Sequence, residues 1–158
     1  MITGTTMTLP VEAVVQRLKA MFSSPHRDDS QRLADLVPML RLAHPNVLVV
    51  SPAAEADRMF EQMRRYLRVP IASWVPRETA HPPVGYCRTL VIRDVDGLDA
   101  VQQESLVSQL HRSAGDLQVV AISGRPLFPL VQRGAFLDRL YYQLNVVLVD
   151  TTDDRQAN

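Results

Sequence analysis

The spacing of apolar residues changes near residue 45, and this change organises the chain. Before it, apolar side chains recur every three or four positions over residues 11–22 and 30–42, which predicts two amphipathic helices. Pro38 lies inside the second pattern, so we expect that helix to kink or end early. After residue 45, short continuous apolar runs begin, and these are typical of strands buried on both faces. We therefore expect a helical segment over residues 1–44 and a different unit beyond it.

Five apolar runs alternate with helical patterns between residues 45 and 150. The predicted strands are residues 47–50, 69–75, 89–92, 118–122 and 146–149. Helical spacing separates them at about residues 54–67, 100–112, 127–132 and 136–144. This alternation predicts an α/β fold, in which helices cover both faces of a parallel five-stranded sheet. Residues 151–158 are expected to form a tail.

Composition limits the classes of function. The chain has 158 residues, of which 46% are hydrophobic and 22% charged, which fits one globular core. No apolar run approaches the roughly 20 residues of a membrane span, and no signal-peptide pattern opens the sequence. The single cysteine, Cys87, fits a reducing compartment, so we expect a cytoplasmic protein without membrane contact. Because the formal net charge is +0, we expect no direct DNA binding.

The basic residues are almost all arginine. Lys19 is the only lysine of the chain. A phosphate-binding P-loop requires a lysine ammonium at the phosphates. No lysine lies within residues 45–150, so a complete P-loop cannot be built there.

Four motifs occur in order along the second unit. Residues 90–98 read L-V-I-R-D-V-D-G-L, residues 103–110 Q-x-x-L-V-x-x-L, residues 121–127 A-I-S-G-R-P-L and residues 134–146 G-A-F-L-D-R-L-Y-Y-Q-L-N-V. They resemble L-F-L-D-E-I-G-E-L, Q-x-x-L-L-R-x-L, A-A-T-N-R-D-L and G-x-F-R-x-D-L-Y-Y-R-L-N-V. These four patterns characterise the AAA+ domain of bacterial enhancer-binding proteins, the ATPases that activate sigma-54 RNA polymerase. The resemblance implies a three-layer, P-loop/AAA+-like sheet with strand order 5-1-4-3-2.

The residues that carry ATPase chemistry in that family are replaced here. Residues 51–58, S-P-A-A-E-A-D-R, stand where the family has G-E-S-G-T-G-K-E, so Asp57 takes the lysine position and Pro52 removes a backbone donor. Arg93 takes the place of the carboxylate that organises Mg²⁺, and Asp94 that of the glutamate that polarises water. Gly124 replaces the asparagine that senses the γ-phosphate. The degenerate nucleotide site would comprise Ser51, Pro52, Ala54, Ala56, Asp57, Arg58, Arg93, Asp94 and Gly124.

Two further sets of family residues are lost. Leu137 and Gln143 stand where the family has the arginines that reach a neighbouring subunit's ATP. Between Arg58 and Arg88 there is no room for the G-A-F-T-G-A loop that grips sigma-54, and the sequence stops soon after the fifth strand, so we expect no lid. We therefore expect no ATPase activity, no cofactor and no metal.

The favoured interpretation is a catalytically inactive AAA+-like interaction module that regulates transcription. Its protein partner would be an AAA+ activator or another transcription regulator, with a homo-oligomer as a further option. A divergent ATP-binding sigma-54 interaction domain and a pseudo-receiver signalling domain stay open as alternatives. The AAA+ order, unlike that of a receiver, places the first strand between the fifth and the fourth. A partner surface is expected at Arg64, Arg65, Arg68, Tyr141 and Tyr142.

Overall fold

The computed structural model describes residues 29–152, and the helix predicted over residues 11–22 lies outside them. The first described helix, α1, is Asp29–Leu42 and continues through Pro38. The expectation that Pro38 ends the helix early is wrong. Leu36 and Leu40 flank the proline and are fully buried, so packing against the sheet compensates for the missing N–H donor. The helix stops at Leu42, and His44 follows in the left-handed region with φ 47°.

The remaining elements follow the predicted alternation. The strands are β1 (Val47–Val50), β2 (Ile71–Trp74), β3 (Thr89–Ile92), β4 (Gln118–Ser123) and β5 (Val147–Asp150). The later helices are α2 (Ala53–Met63), α3 (Ala100–Ser113), α4 (Phe128–Gln132) and α5 (Asp138–Leu144). Short 3₁₀ turns occupy Arg64–Tyr66, Val84–Tyr86 and Val95–Gly97.

The five strands form one parallel sheet in the order β2-β3-β4-β1-β5. Strand β1 therefore lies between β4 and β5, which confirms the predicted AAA+ order. A receiver sheet has the order 2-1-3-4-5, so its first strand lies between the second and third strands. The pseudo-receiver alternative is wrong.

Because all strands point the same way, the sheet has two chemically distinct edges. The carboxyl edge is where the strands end, at Val50, Trp74, Ile92, Ser123 and Asp150. The amino edge is where they begin, at Val47, Ile71, Thr89, Gln118 and Val147. Ligands of open α/β sheets bind beyond the carboxyl ends, so the candidate site belongs at the carboxyl edge.

The core consists of two apolar layers, one on each face of the sheet. Successive strand residues point to opposite faces. Leu48 and Val50 accordingly pack in the layer that contains helices α3 to α5. Val47 and Val49 pack in the layer that contains α1 and α2. The result is the three-layer arrangement expected from the sequence.

Helix α3 is the best-capped helix among those described. The Asp99 carboxylate accepts a hydrogen bond from Gln102 N–H at 2.8 Å, and the Gln102 side chain accepts one from Asp99 N–H at 3.1 Å. At its other end Ala114 adopts φ 47°, which turns the chain toward β4. No helix within residues 29–152 is long and apolar enough to cross a membrane. The divisions at residues 44 and 150 stay predictions.

Candidate functional site

The turn after β1 is only two residues long. Ser51 and Pro52 link Val50 to helix α2, which begins at Ala53, so the positions aligned with most of the phosphate loop lie inside a helix. The Pro52 carbonyl accepts hydrogen bonds from the backbone N–H groups of Glu55 and Ala56, at 3.1 and 2.9 Å. Those amides are used by the helix itself. A loop that encircles a phosphate needs several free amides directed at the anion, and this turn does not form one.

Hydrogen bonds of Ser51 connect the turn to neighbouring strands. Its side chain is fully buried, and its backbone N–H donates to the Ser123 carbonyl at 3.0 Å. The Thr151 hydroxyl donates to Ser51 Oγ at 2.8 Å. These bonds tie the ends of β4 and β5 to the turn after β1. Ser51 therefore stabilises the sheet edge and does not point toward a ligand.

The structure brings Asp57 and Arg93 together as an ion pair. Asp57 comes from the second turn of α2, and Arg93 from the residue directly after β3, where its N–H donates to the Trp74 carbonyl at 2.9 Å. The Arg93 guanidinium also lies over the Phe60 ring, 5.8 Å from its centroid. The sequence indicated each charge as a separate obstacle to ATP, and their pairing was missed. The available signal was that the two aligned positions carry opposite charges.

A second ion pair joins the ends of β3 and β4. Arg125 Nε lies 2.9 Å from Asp96 Oδ2. The Ser123 hydroxyl donates to the Arg125 carbonyl at 2.5 Å and fixes the turn that carries the arginine. The Asp96 carboxylate is thus paired with the Arg125 guanidinium. Asp94 is exposed and has a left-handed backbone conformation, with φ 52°. Within residues 29–152 no three metal-ligating side chains cluster, and the absence of a metal stays a prediction.

The glycine at the sensor position, Gly124, is not required by lack of space. A Cβ built on Gly124 meets no atom within 4 Å, so the structure has room for a larger residue at the sensor position. Ala54 and Arg58 lie exposed on α2, whereas Ala56 is buried. The ion pair described above joins Asp57 to Arg93 and does not include Arg58.

Gln103, on α3, positions the segment with the lost arginines. The Gln103 side chain is buried, and its amide nitrogen donates to the carbonyls of Leu98 and Ala135 at 3.0 and 3.1 Å. Its amide oxygen accepts from Leu137 N–H at 2.8 Å. This side chain clamps the start of α5 to α3. The sequence comparison matched Gln103 to the family pattern without showing this function.

Leu137 and Gln143 occupy opposite ends of α5. Leu137 precedes the helix and packs partly buried against the core. The Gln143 carbonyl accepts from Asn46 Nδ2 at 2.9 Å, while Gln143 Oε1 is buried with no hydrogen-bond partner in the described structure. Neither position carries a positive charge to a neighbouring molecule.

Helices α4 and α5 together present three contacting aromatic rings. Phe128 and Tyr141 have ring centroids 5.8 Å apart, and Tyr141 and Tyr142 meet edge to face at 5.3 Å. Tyr141 is half-buried, and burial raises the pKa of its phenol despite a hydrogen bond from Asn145 Nδ2 at 2.9 Å. Phe128 and Tyr142 remain 45% and 65% exposed. We call these three residues the aromatic surface.

The predicted partner surface falls into two separate regions. Tyr141 and Tyr142 belong to the aromatic surface on α5. Arg64, Arg65 and Arg68 follow α2 and lie at the amino edge, away from the candidate nucleotide site. The structure therefore does not bring the predicted arginines and tyrosines together.

Comparison with known proteins now identifies the module. Residues 85–153 match the model of the family described as Sigma-54 interaction domain. Over these residues the chain is similar to sigma-54 activators, and we refer to it as a sigma-54 activator-like module. The predicted resemblance is confirmed there. No curated protein matches the sequence.

Solved structures share the fold of the sigma-54 activator-like module. NtrX from Brucella abortus is 12% identical with a TM-score of 0.64, and the match covers 89% of this chain and 39% of NtrX. The P-loop NTPase domain of a sigma-54 transport activator from E. coli is 15% identical with a TM-score of 0.56, covering 77% of this chain and 94% of that one. Domain III of DnaA from Thermotoga maritima is 15% identical with a TM-score of 0.54, covering 84% and 65%. The present chain thus spans well under half the length of NtrX, and these low identities show the fold alone.

Proposed function

We propose that this chain is a catalytically inactive AAA+-like interaction module that binds a sigma-54 activator subunit and regulates transcription by tuning that subunit's ATPase. The observation that carries the proposal is the Asp57–Arg93 ion pair. The position that aligns with the ATPase lysine and the one that aligns with the metal carboxylate have exchanged charge signs and neutralise each other.

The paired charges disfavour Mg-ATP. A phosphate near α2 would meet the Asp57 carboxylate, and a divalent cation near β3 would meet the Arg93 guanidinium. Each charge-assisted hydrogen bond that is lost costs about 1.5–3 kcal/mol. Micromolar affinity corresponds to about 8 kcal/mol, so losing several such contacts removes most of it.

Calorimetric titration with Mg-ATP tests the inactive site. We expect no binding heat, while an activator AAA+ domain with an intact phosphate loop serves as the positive control. A dissociation constant in the low micromolar range would reject the inactive module and favour the divergent nucleotide-binding alternative. NtrX, part of which shares this fold, has been solved in complex with ATP and with ADP.

The aromatic surface supports a protein partner. Large apolar rings at a surface cost free energy unless a partner covers them, and tyrosines are enriched at interfaces. These rings lie on α4 and α5. Leu137 directly precedes α5, and Gln143 lies within it. In the resembling family those two positions face the next subunit. The proposed partner is therefore an AAA+ subunit that docks on α5.

Docking would reduce the partner's ATPase activity because the module lacks the arginines that an active subunit supplies. A subunit with leucine and glutamine at these positions supplies no guanidinium to the ATP bound next door. An arginine that stabilises the transferring phosphoryl group contributes about 10³-fold or more to the rate in other NTPases. Each inserted module would accordingly silence one ATP site of the assembly.

Titration of the module into an activator AAA+ domain from the same organism tests this mechanism. The ATPase rate should fall as the module is added. Tyr142→Ala should weaken inhibition, whereas Tyr86→Ala, which removes an even more exposed ring elsewhere, should not. The double variant Leu137→Arg/Gln143→Arg should inhibit less than the wild type. An unchanged ATPase rate at a large excess of module would reject the proposal.

A further inference from the structure

The described arginines are not evenly distributed over the molecule. Several lie on helix ends and loops at the amino edge: Arg41, Arg64, Arg65, Arg68, Arg88 and Arg112. Among the described residues, the carboxylates of that edge are Glu61 and Asp116. The formal net charge of zero therefore conceals a local excess of positive charge. Such a field attracts acidic groups even when the whole molecule is neutral.

Two of these arginines share one aromatic ring. The guanidinium carbons of Arg41 and Arg65 lie 5.0 and 5.1 Å from the centroid of the Tyr66 ring. Arg41 lies in the last turn of α1, and Arg65 and Tyr66 follow α2, so tertiary packing brings the three together. Across residues 29–152 neither guanidinium has a carboxylate partner.

Contact with the ring holds the arginines without using their hydrogen bonds. A cation–π contact satisfies the face of the guanidinium, whereas its N–H donors lie in its plane and stay available. Side chains that are already positioned lose less conformational entropy when a carboxylate binds. Both groups are therefore prepared to bind an anionic partner.

The adjacent loop extends the same surface. Arg68 donates from Nη1 to the Asp116 carbonyl at 3.0 Å, and its backbone N–H lies 3.5 Å from the buried Gln118 amide oxygen. These bonds hold the loop that carries Arg68 and Val69. The arginine is thus fixed beside the sheet rather than free in solvent.

Two arginines of this surface are each followed in sequence by an exposed aliphatic residue. Leu42 follows Arg41 and is 86% exposed, and Val69 follows Arg68 and is 72% exposed. Phosphate backbones offer nothing that would favour burying these side chains. An acidic protein segment with apolar residues would satisfy both the arginines and the aliphatic groups. Arginine enrichment without lysine is also typical of protein interfaces.

We propose that this region, the basic surface formed by Arg41, Leu42, Arg65, Tyr66, Arg68 and Val69, binds an acidic amphipathic segment of a partner protein. The binding surface lies at the edge of the sheet opposite the candidate nucleotide site. The proposal is therefore independent of whether ATP binds and of which subunit docks on α5.

Fluorescence anisotropy with the intact chain tests the proposal. The probe is a labelled designed peptide with glutamate and leucine at helical spacing. The comparison probes are the same peptide with every glutamate changed to glutamine, and a mixed-sequence single-stranded DNA. We expect the acidic peptide to bind, with an affinity that falls as salt is added, and the glutamine peptide to bind at least about tenfold more weakly. Tighter binding of the DNA than of the acidic peptide would overturn the proposal in favour of a nucleic-acid surface.

Variants locate the binding site. Arg41→Gln/Arg65→Gln should weaken peptide binding at least about tenfold. Arg77→Gln/Arg133→Gln removes the same charge from exposed arginines elsewhere and should change it less than about twofold. Leu42→Ser should weaken binding of the acidic peptide and leave residual DNA binding unchanged. Because Leu42 is exposed, this substitution should not affect folding. Equal losses in both arginine double variants would show a general charge effect and overturn the assignment.

Discussion

The two edges of the sheet handle charge in opposite ways. At the carboxyl edge, opposite charges meet as Asp57–Arg93 and Asp96–Arg125. On the basic surface at the amino edge, guanidinium groups rest over a ring and have no carboxylate partner in the described structure. The ion pairs thus neutralise charges at the edge where related sheets bind ligands, whereas Arg41 and Arg65 of the basic surface form no ion pair among the described residues.

This difference affects how readily each edge can bind a charged ligand. Ion pairs formed within a site compete directly with any charged ligand for the same groups. Arg41 and Arg65 have no such competitor within residues 29–152. The fold places the candidate nucleotide site at one edge, and the proposed partner-binding surface lies at the other.

The largest expected effect concerns the buried polar groups that support each edge. At the amino edge, Gln118 is buried and donates from Nε2 to the Pro45 carbonyl at 2.9 Å. Gln118→Leu leaves that carbonyl and the Arg68 N–H without this partner, so we expect a loss of about 2–4 kcal/mol in unfolding free energy. At the carboxyl edge, Thr151→Val removes a single bond to Ser51 and should cost about 1 kcal/mol. Urea unfolding measures the stability of both variants. Equal losses would contradict the expected larger effect at the amino edge.

Reversal of the ion pair is expected to have a smaller effect. Asp57 and Arg93 side chains are 55% and 36% exposed, so their attraction is worth about 0.5–1 kcal/mol. Asp57→Arg should destabilise by about 1 kcal/mol because it places two guanidinium groups together. Adding Arg93→Asp should restore stability to within about 0.5 kcal/mol of the wild type. Chemical denaturation of the wild type, the two single variants and the double variant gives the coupling free energy between the two residues. If the effects of the single variants simply add, the ion pair contributes nothing to stability.

The reactivity of Cys87 probes the amino edge. Burial raises the pKa of this thiol, although Arg88 is the next residue. Because the thiolate is the nucleophile, alkylation by iodoacetamide at pH 8 should be about threefold to tenfold slower than that of glutathione. The alkylation rate rises with pH as the thiol loses its proton. In the folded chain this rise should occur at a higher pH than in the urea-unfolded chain, because the pKa of the folded thiol is raised. A rate equal to that of glutathione would indicate that a nearby arginine stabilises the thiolate.

The smallest expected effect is a null result at the carboxyl edge. Asp57→Lys restores the family residue but leaves Pro52 and a two-residue turn without a ring of free amides. Those donors and the ammonium act together, so a single restoration should leave Mg-ATP binding undetectable by calorimetry. Replacement of residues 51–58 by the family loop serves as the comparison. Tight ATP binding by the single variant would mean that the turn already forms a phosphate cradle.

Much of the fold was predictable because apolar periodicity is a local property. The strands β1 and β3 coincide with their predicted bounds, and the sheet order followed from the family motifs. The path of α1 through Pro38 was not predictable. A proline weakens a helix locally, but burial of Leu36 and Leu40 depends on a sheet that forms later in the chain.

The candidate site divides in the same manner. The replaced residues at positions 57, 93, 137 and 143 are visible in the sequence, because a lost charge is a property of a single letter. The pairing of Asp57 with Arg93, and the meeting of Arg41 with Arg65 over Tyr66, were decided by the tertiary structure. Electrostatic and cation–π contacts depend on distances of a few ångströms between segments far apart in sequence. Only folding creates those distances, so it alone determined which charges cancel and which stay available to a partner.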